Sequence, residues 1–224
     1  MSKVTVLLVG HKGSGKTTVF NTIKSFRPEA TEVQFAGKLK EVCARAFHLP
    51  LEFFEDQDLK EKVFESGPKE MKYAQLNEIY TLFGVPTVSI SQNAIEQHYG
   101  RVFRTPRQIA QYVGTEVLRS VKDTIHSDLA LTKASELDFS VITDCRFPNE
   151  FQSTVETFHG SGRKVLTVAI HRMTAEEIAS QDPHPSEAYV QKIQQSCEYH
   201  LSNNGTFEDL QQQIKGLLSC TGNL

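Results

Sequence analysis

Apolar and polar positions along the chain predict strands separated by helices. The run Val4 to Val9 is apolar nearly throughout, which is typical of a strand buried on both faces of a parallel sheet. Thr17 to Phe26 has the spacing of a helix and ends before Pro28, which disfavours helical geometry in the residue that precedes it. Strands that alternate with helices predict a doubly wound sheet, with its ligand at the carboxyl ends of the strands.

The same patterns predict the later elements. Further strands are expected at Thr31 to Phe35, Phe139 to Asp144, Lys164 to His171 and Tyr199 to Leu201, with another candidate at Val85 to Ser91. Further helices are expected at Ala36 to Phe47, Pro106 to Thr124, Glu150 to Gly160 and Phe207 to Leu218, and one after the polar stretch Asp182 to Glu187. Between Leu49 and Thr105 aromatic residues alternate with charges and Gly-Pro breakers, so we expect a peripheral insertion of short helices.

Gly10 to Thr17, between the first strand and the first helix, has the GxxxxGK[ST] spacing of a P-loop. Glycines let the backbone curl so that several N–H groups converge on phosphate oxygens, and the helix presents its positive end to the same anion. Lys16 would contact the β- and γ-phosphates, and the Thr17 hydroxyl would bind Mg²⁺. The expected triphosphate-binding residues are Gly10, Lys12, Gly13, Ser14, Gly15, Lys16, Thr17 and Thr18.

Charged residues stand at the ends of two later strands. Asp144 could hold Mg²⁺ together with Thr17, and Arg146 could contact a phosphate. Alternatively, Asp144 caps the next helix and Arg146 pairs with Glu150. Arg172 opens a polar segment that could close over a triphosphate, or that forms a charged surface loop.

The helix predicted from Pro106 has polar residues on one stripe. Gln108, Gln111, Thr115 and Arg119 fall at i, i+3, i+7 and i+11. Gln can pair with the edge of a base, and Arg with a monophosphate. The alternative is a solvated face whose apolar neighbours pack on the other side.

The sequence does not decide the roles of two polar segments in the last quarter of the chain. The turn Asn203 to Thr206 would lie near the P-loop if the last short strand sits beside the first, and Asn204 could then contact an adenine edge. A plain turn is the alternative. His184 has no second His or Cys at ligand spacing, so zinc is not expected there and no chemical role is assigned to it.

The composition restricts the class of protein. The chain has 224 residues, 39% hydrophobic and 23% charged, with a net charge of -3, which fits one α/β domain and does not favour nucleic acid as a partner. No apolar run is long enough to span a membrane, and the start of the chain does not resemble a signal peptide. The four cysteines lack zinc or disulfide spacing, so we expect reduced thiols in a cytoplasm.

Several motifs occur together in a fixed order: the P-loop, Phe35 to Lys40, Thr105 to Gln108 with Gly114 to Glu116 and Arg119, Asp144 to Glu150, His184 to Glu187, and Asn203 to Thr206. In this combination the chain resembles the deoxynucleoside monophosphate (dNMP) kinases encoded by tailed bacteriophages, which are relatives of the adenylate kinase-like P-loop kinases. The resemblance is weakest between Leu49 and Arg104. The family often has Asp-Pro where this chain has Gly37-Lys38, and Asp where this chain has Thr17.

The resemblance implies transfer of the ATP γ-phosphoryl group to a dNMP with Mg²⁺ as cofactor. It implies a three-layer P-loop fold with a core at residues 1–48, 105–171 and 197–224, an acceptor-side insertion at 49–104 and a lid at 172–196. Lys16, Arg146 and Arg172 would be catalytic, and Thr17 and Asp144 would hold the metal. The implied acceptor-binding residues are Phe35, Lys38, Arg107, Gln108, Gln111, Thr115, Arg119, Asp144 and Glu150. The location would be a host cytoplasm, and a homodimer is compatible with the resemblance.

Other functions stay open at this point. A P-loop kinase for another phosphorylated acceptor, such as dephospho-coenzyme A or phosphomevalonate, would share most of these features. A GTPase-like switch would need an Asn-Lys-x-Asp stretch, which the chain lacks. An ATP-dependent assembly subunit would usually be longer.

Overall fold

The computed structural model describes residues 3–56, 58–86, 90–172 and 185–219. The strands are β1 (Val4–Val9), β2 (Thr31–Val33), β3 (Lys69–Glu70), β4 (Val102–Phe103), β5 (Phe139–Cys145), β6 (Lys164–His171) and β7 (Tyr199–Ser202). The helices are α1 (Lys16–Phe26), α2 (Gly37–Ala46), α3 (Glu52–Glu55), α4 (Tyr73–Leu82), α5 (Gln92–His98), α6 (Pro106–Tyr112), α7 (Ile125–Glu136), α8 (Pro148–Phe158), α9 (Pro185–Gln194) and α10 (Phe207–Ser219). A 3₁₀ turn spans Leu59–Glu61 and a π-helical turn spans Val113–Leu118. The chain divides into two compact units, Met1–Phe35 with Ser127–Leu224, and Ala36–His126.

The first unit contains five parallel strands in the order β2-β5-β1-β6-β7. β1 is the central strand, and all six of its residues are buried. Its polar residue, Thr5, lies opposite Ser140 of β5, and the two hydroxyl oxygens are 2.9 Å apart. Because this hydrogen bond satisfies both hydroxyl groups inside the sheet, β1 can be buried on both faces.

Helices cover both faces of this sheet. Successive residues of a strand point to opposite faces. Val4, Val6 and Leu8 belong to an apolar cluster that contains residues of α1 and α10. Leu7 and Val9 belong to a second cluster with residues of α7, α8 and α9. The first unit is therefore a three-layer α/β P-loop fold, and the predicted fold class is confirmed.

The second unit is mostly helical, with β3 and β4 paired as a short antiparallel ribbon. Its core joins Leu39 and Val42 of α2 to Met71, Ile79 and Ile109. The unit runs from Ala36 to His126, so it is larger than the predicted insertion of residues 49–104. The reason is that the apolar residues of α2 and α6, expected in the sheet core, pack in this separate core.

Two predicted segments extend beyond the described residues. The candidate strand Val85 to Ser91 includes residues 87–89, and the predicted lid at 172–196 includes residues 173–184 with His184; both parts lie outside the described ranges. The later part of the predicted lid forms α9. Val190 and Ile193 of α9 are buried in the same cluster as Leu7, so α9 belongs to the core of the first unit.

Candidate functional site

The P-loop connects β1, the central strand, to α1. Gly13 and Gly15 have positive φ angles of 81° and 96°, which glycine adopts without strain. Gly15 is the N-cap of α1, and Lys16 begins the helix. The first backbone N–H groups of a helix have no partner within that helix. The loop therefore directs backbone donors and the positive end of a helix dipole to one point beyond the sheet.

Asn203 supports this loop and is the residue that the sequence analysis missed. Its side-chain amide Nδ2 donates to the Ser14 carbonyl at 2.9 Å, and its backbone N–H donates to the His171 carbonyl at 2.7 Å. A Cβ atom on Gly15 would lie 2.2 Å from the same Nδ2. Asn203 thus contacts the P-loop backbone itself. The contact of its neighbour Asn204 with an adenine edge stays a prediction.

The last strand does not lie beside the first strand. β7 pairs with β6 and not with β1. The residue that follows it still reaches the loop, because Asn203 extends past the end of β6 and contacts Ser14 through its side chain. The position of Asn203 therefore depends on which strand pairs with β7. Local sequence patterns do not specify that pairing.

Two cationic side chains lie on the P-loop. Lys16 Nζ donates to the carbonyls of Gly10 and His11 at 2.6 and 2.8 Å. Arg172, at the end of β6, donates from Nη1 to the Gly13 carbonyl at 3.0 Å. Both an ammonium and a guanidinium can donate to phosphate oxygens, so this loop carries the side chains that an anion-binding site would need.

Asp144 is placed at the carboxyl end of β5, which neighbours β1 in the sheet. Its Oδ1 accepts the Phe35 N–H at 2.8 Å. Thr17 is exposed in the first turn of α1. A carboxylate and a hydroxyl are oxygen donors, the class that Mg²⁺ prefers, so these residues suit that metal. Among the residues described, no cluster of three or more His, Cys, Asp or Glu side chains suits a metal ion.

Glu150 has a structural contact in the first unit. It is 3% exposed, and its Oε2 accepts the backbone N–H groups of Arg146 and Phe147 at 2.9 and 3.1 Å. Phe147 is the N-cap of α8, so Glu150 caps this helix. Of the predicted alternative, the pairing of Arg146 with Glu150 is present as this hydrogen bond from the Arg146 backbone N–H. Binding of an acceptor by Glu150 stays a prediction.

Cys145 is the last residue of β5, next to Asp144, and its surroundings favour the protonated thiol. Burial raises the pKa of Cys145 well above its usual value, and the carboxylates of Glu150 and Asp144 raise it further, while Lys16 opposes them. Because the thiolate is the reactive form of cysteine, Cys145 is not a nucleophile here. The described cysteines Cys43, Cys145 and Cys197 are free and buried.

In the second unit, Thr105 caps α6 and Gln108 takes part in the cap. Thr105 Oγ1 accepts the Gln108 N–H at 3.3 Å, and Gln108 Oε1 accepts the Arg104 N–H at 2.7 Å. This reciprocal arrangement satisfies donors at the helix terminus. Arg107 forms an ion pair through Nε with the Glu61 carboxylate. Gln108 and Arg107 thus both have partners within their own unit. Binding of the acceptor by these two residues stays a prediction.

The predicted polar stripe was wrong in its geometry. The α-helix ends at Tyr112 and continues as the π-helical turn Val113–Leu118. One extra residue in a turn rotates the residues after it by about 100° relative to an α-helix. Arg119 follows the turn and therefore does not continue the line of Gln108 and Gln111. The i+7 and i+11 spacing assumed an unbroken α-helix, and nothing in the local sequence indicated the π turn.

Arg119 and Lys38 complete the predicted acceptor set. The Arg119 side chain is 12% exposed, and its Nη1 donates to the Asp123 carbonyl at 3.1 Å. Lys38 is 3.8 Å from the Glu41 carboxylate in an exposed i,i+3 pair. Gln111 is half-buried and Thr115 is exposed. Among these residues Arg119 combines a guanidinium with low exposure, which favours strong contacts to an anion.

A buried histidine in this unit predicts pH-dependent stability. Burial and, to a smaller extent, the charge of Arg119 lower the pKa of His126 from 6.5 to about 4, while the hydrogen bond to the Gly114 carbonyl opposes them. Between these values the unfolded chain binds more protons than the folded chain, so acid favours unfolding. We expect the free energy of unfolding to fall between pH 6.5 and 4 by up to roughly 3 kcal/mol from this group.

Urea titrations at several pH values in this window measure the effect, with His126→Gln as the matched control because glutamine does not titrate. The pH slope should be smaller in the variant. Equal slopes for both proteins would contradict the assignment of this proton to His126.

Comparison with known proteins adds one curated relative. The chain is 29% identical over 234 aligned residues to the "Putative deoxynucleotide monophosphate kinase" of Acanthamoeba polyphaga mimivirus, covering 98% of this chain and 97% of the relative. No profile of a known protein family matches the chain. A bacteriophage origin stays a prediction.

Two similar solved structures are named as kinases. The APS kinase of Mycobacterium tuberculosis in complex with AMPPNP and APS aligns at 10% identity with a TM-score of 0.43, covering 97% of this chain and 98% of the other. The shikimate kinase of Bacteroides thetaiotaomicron aligns at 10% identity with a TM-score of 0.42, covering 99% and 100%. The fold assignment itself depends on the strand order and on the position of the P-loop described above. Within the described ranges no helix is both long and apolar enough to cross a membrane.

Proposed function

We propose that this chain is a kinase that transfers the γ-phosphoryl group of ATP to a deoxynucleoside monophosphate and forms the diphosphate. The P-loop at the end of β1, with Lys16 and Arg172 on its carbonyls, carries the donor half of the proposal. The mimivirus relative matches along nearly the whole chain, and its name supports the acceptor half.

In this proposal the donor groups act through position and charge. The N–H groups at the start of α1 bind the phosphates, while Lys16, Arg172 and Arg146 donate to oxygens whose negative charge changes during transfer. Such preorganised donors lower the barrier because they need no reorganisation during the reaction. Thr17 and Asp144 would hold Mg²⁺, which would neutralise charge on the β- and γ-phosphates.

The proposed reaction needs no strong general base from the protein. The acceptor monophosphate is already an anionic nucleophile, so the residues have to orient it in line with the γ-phosphoryl group. The protonated Cys145 thiol fits this reaction, since it does not compete as a nucleophile. We assign no chemical role to His184.

Each unit contains residues that we propose to bind the acceptor. Phe35, Asp144 and Glu150 belong to the first unit, and Lys38, Arg107, Gln108, Gln111, Thr115 and Arg119 to the second. Of these, Arg119 is the preferred contact for the acceptor phosphate, because a guanidinium can donate two parallel hydrogen bonds to it.

We further propose that neither nucleic acid nor a membrane is a partner, that the protein acts in a cytoplasm, and that a homodimer is compatible with this function.

Arg119→Ala should weaken use of the acceptor and spare ATP binding. We expect the KM for the dNMP to rise roughly 10- to 100-fold, because a hydrogen bond to a charged group contributes about 1.5–3 kcal/mol. Steady-state kinetics with each nucleotide varied in turn measure the effect. Arg45→Ala is the control, since Arg45 is an exposed arginine of the same unit, paired with Glu78. Weakened ATP binding with an unchanged KM for the dNMP would contradict the assignment.

The experiment that tests the proposed function is an acceptor panel with ATP and Mg²⁺. It contains the four dNMPs, their ribose counterparts, dephospho-coenzyme A and phosphomevalonate. Turnover of one or more dNMPs supports the proposal. Turnover of a different phosphorylated acceptor alone would identify another P-loop kinase, and ATP hydrolysis that no acceptor accelerates would indicate a nucleotide switch or binding module.

A further inference from the structure

The π-helical turn Val113–Leu118 is held by close packing on one side. Gly114 lies inside this turn and is buried, and a Cβ atom there would be 2.7 Å from Leu39 Cδ2. A glycine lets α2 approach the turn more closely than any other residue would. π-helical turns are rare and occur frequently at functional sites, so the contacts that hold this one are informative.

His126 contacts the same turn through its imidazole ring. Its Nε2 lies 3.2 Å from the Gly114 carbonyl oxygen, and its ring packs edge-on against Phe83 with the centroids 5.7 Å apart. Because a carbonyl oxygen only accepts, Nε2 must carry the proton. His126 is 5% exposed, so this donor is fixed in a dry environment.

The choice of histidine at this position has a cost for stability. With the proton on Nε2, the Nδ1 atom is an acceptor, and it is buried with no hydrogen-bond partner among the residues described. A buried polar group without a partner costs about 1–3 kcal/mol. An apolar side chain would fill the space without this cost, so core packing alone does not account for histidine.

The contacted carbonyl is linked to Arg119 by the geometry of the turn. In a π-helix the carbonyl of residue i accepts the N–H of residue i+5, and Arg119 is the fifth residue after Gly114. The Arg119 guanidinium is in turn held by the Asp123 carbonyl at 3.1 Å. The segment that begins at Arg119, directly after the π turn, thus folds back so that His126 contacts the turn at Gly114.

We propose that His126 is a positioning residue that fixes the π turn through Gly114 and so directs Arg119 toward the acceptor phosphate. This inference rests on the proposed function, because it names a residue that supports the same acceptor site. It assigns a kinetic role to a buried side chain that does not touch the substrate. Loss of the Nε2 donor should change use of the acceptor and leave use of the donor nucleotide unchanged.

The test compares His126→Leu with His126→Gln. Leucine keeps apolar bulk and removes the donor, whereas the glutamine amide can place an N–H near the position of Nε2. We expect a KM for the dNMP at least tenfold higher in His126→Leu and within about threefold of wild type in His126→Gln, with the KM for ATP unchanged in both. A role in packing alone predicts altered stability with both KM values unchanged, and that result would overturn the inference, as would an equal rise in both variants.

If His126→Leu does not fold, ¹⁵N NMR of the wild-type imidazole carries the test. The spectrum should show a neutral Nε2–H tautomer whose shifts change on addition of dNMP more than on addition of ATP. Unchanged shifts with dNMP would overturn the inference. A wild-type protein that turns over no dNMP would instead overturn the proposed function, and the inference with it.

Discussion

Replacing Lys16 by alanine should lower turnover by at least about two orders of magnitude, because one preorganised donor to a developing charge contributes roughly 3–4 kcal/mol. Lys16 Nζ lies on the carbonyls of Gly10 and His11, at the loop that ends the central strand. From there a short movement of a flexible side chain carries the ammonium to a phosphate. The effect should appear mainly in kcat, since the charge on the transferred group changes most in the transition state.

Lys133→Ala is the matched control for this experiment. Lys133 is exposed on α7, and its replacement removes the same charge and side-chain length. Its kcat should equal that of the wild type. If Lys16→Ala retains full activity, the P-loop does not bind the phosphoryl donor, and the proposed mechanism is wrong.

Replacing Gly15 by alanine should reduce affinity for ATP by about 30- to 100-fold. The φ angle of Gly15 is 96°, and the left-handed region costs a residue with a Cβ roughly 1–2 kcal/mol. The new Cβ would also lie 2.2 Å from Asn203 Nδ2. Asn203 would have to move and lose its hydrogen bond to the Ser14 carbonyl, which adds about 1 kcal/mol.

Gly162→Ala is the control for general destabilisation by an alanine at a positive φ angle outside the P-loop. Gly162 has a φ angle of 77°, and a Cβ atom added there would have no neighbouring atom within 4 Å, so its substitution introduces strain without a clash. Calorimetry should show wild-type ATP affinity for Gly162→Ala and a large loss for Gly15→Ala, with circular dichroism to verify folding of both. Wild-type affinity in Gly15→Ala would show that the loop tolerates the added atom and that Asn203 does not restrain it.

The sheet and the donor loop follow from short-range patterns in the sequence. Val4 to Val9 could be assigned to a central strand because every residue suits burial, and the spacing of Gly10, Gly15 and Lys16 has few structural uses other than binding phosphate. Both features depend on residues that are neighbours in the chain, so they can be recognised from one sequence without a structure.

The parts that could not be predicted depend on long-range contacts. Asn203 reaches Ser14 only because β7 pairs with β6, and the pairing of a four-residue strand has no local signature. The π turn after Tyr112 also has no local signature, because its residues have the spacing of an α-helix. The residues that contact it, Leu39 and His126, both lie outside the turn. Helical spacing therefore predicted a four-residue polar stripe, which the π turn interrupts before Arg119.

The second unit shows a related limit. Leu39 and Val42 have ordinary helical spacing, which predicts an apolar face but not the core in which that face is buried. The structure places them with Met71 and Ile109 in a core separate from the sheet. The boundary of the unit at Ala36 follows from this packing and not from a change in composition.

The central claim is that the protein transfers phosphate to a nucleotide and does not merely hydrolyse ATP. The most direct measurement incubates the wild-type protein with γ-³²P-ATP, Mg²⁺ and each dNMP, and separates the products. The proposed function predicts label in the deoxynucleoside diphosphate, with one dNDP formed for each ADP, and almost no ADP without an acceptor. Label that appears only in inorganic phosphate, at a rate independent of every dNMP, would contradict it.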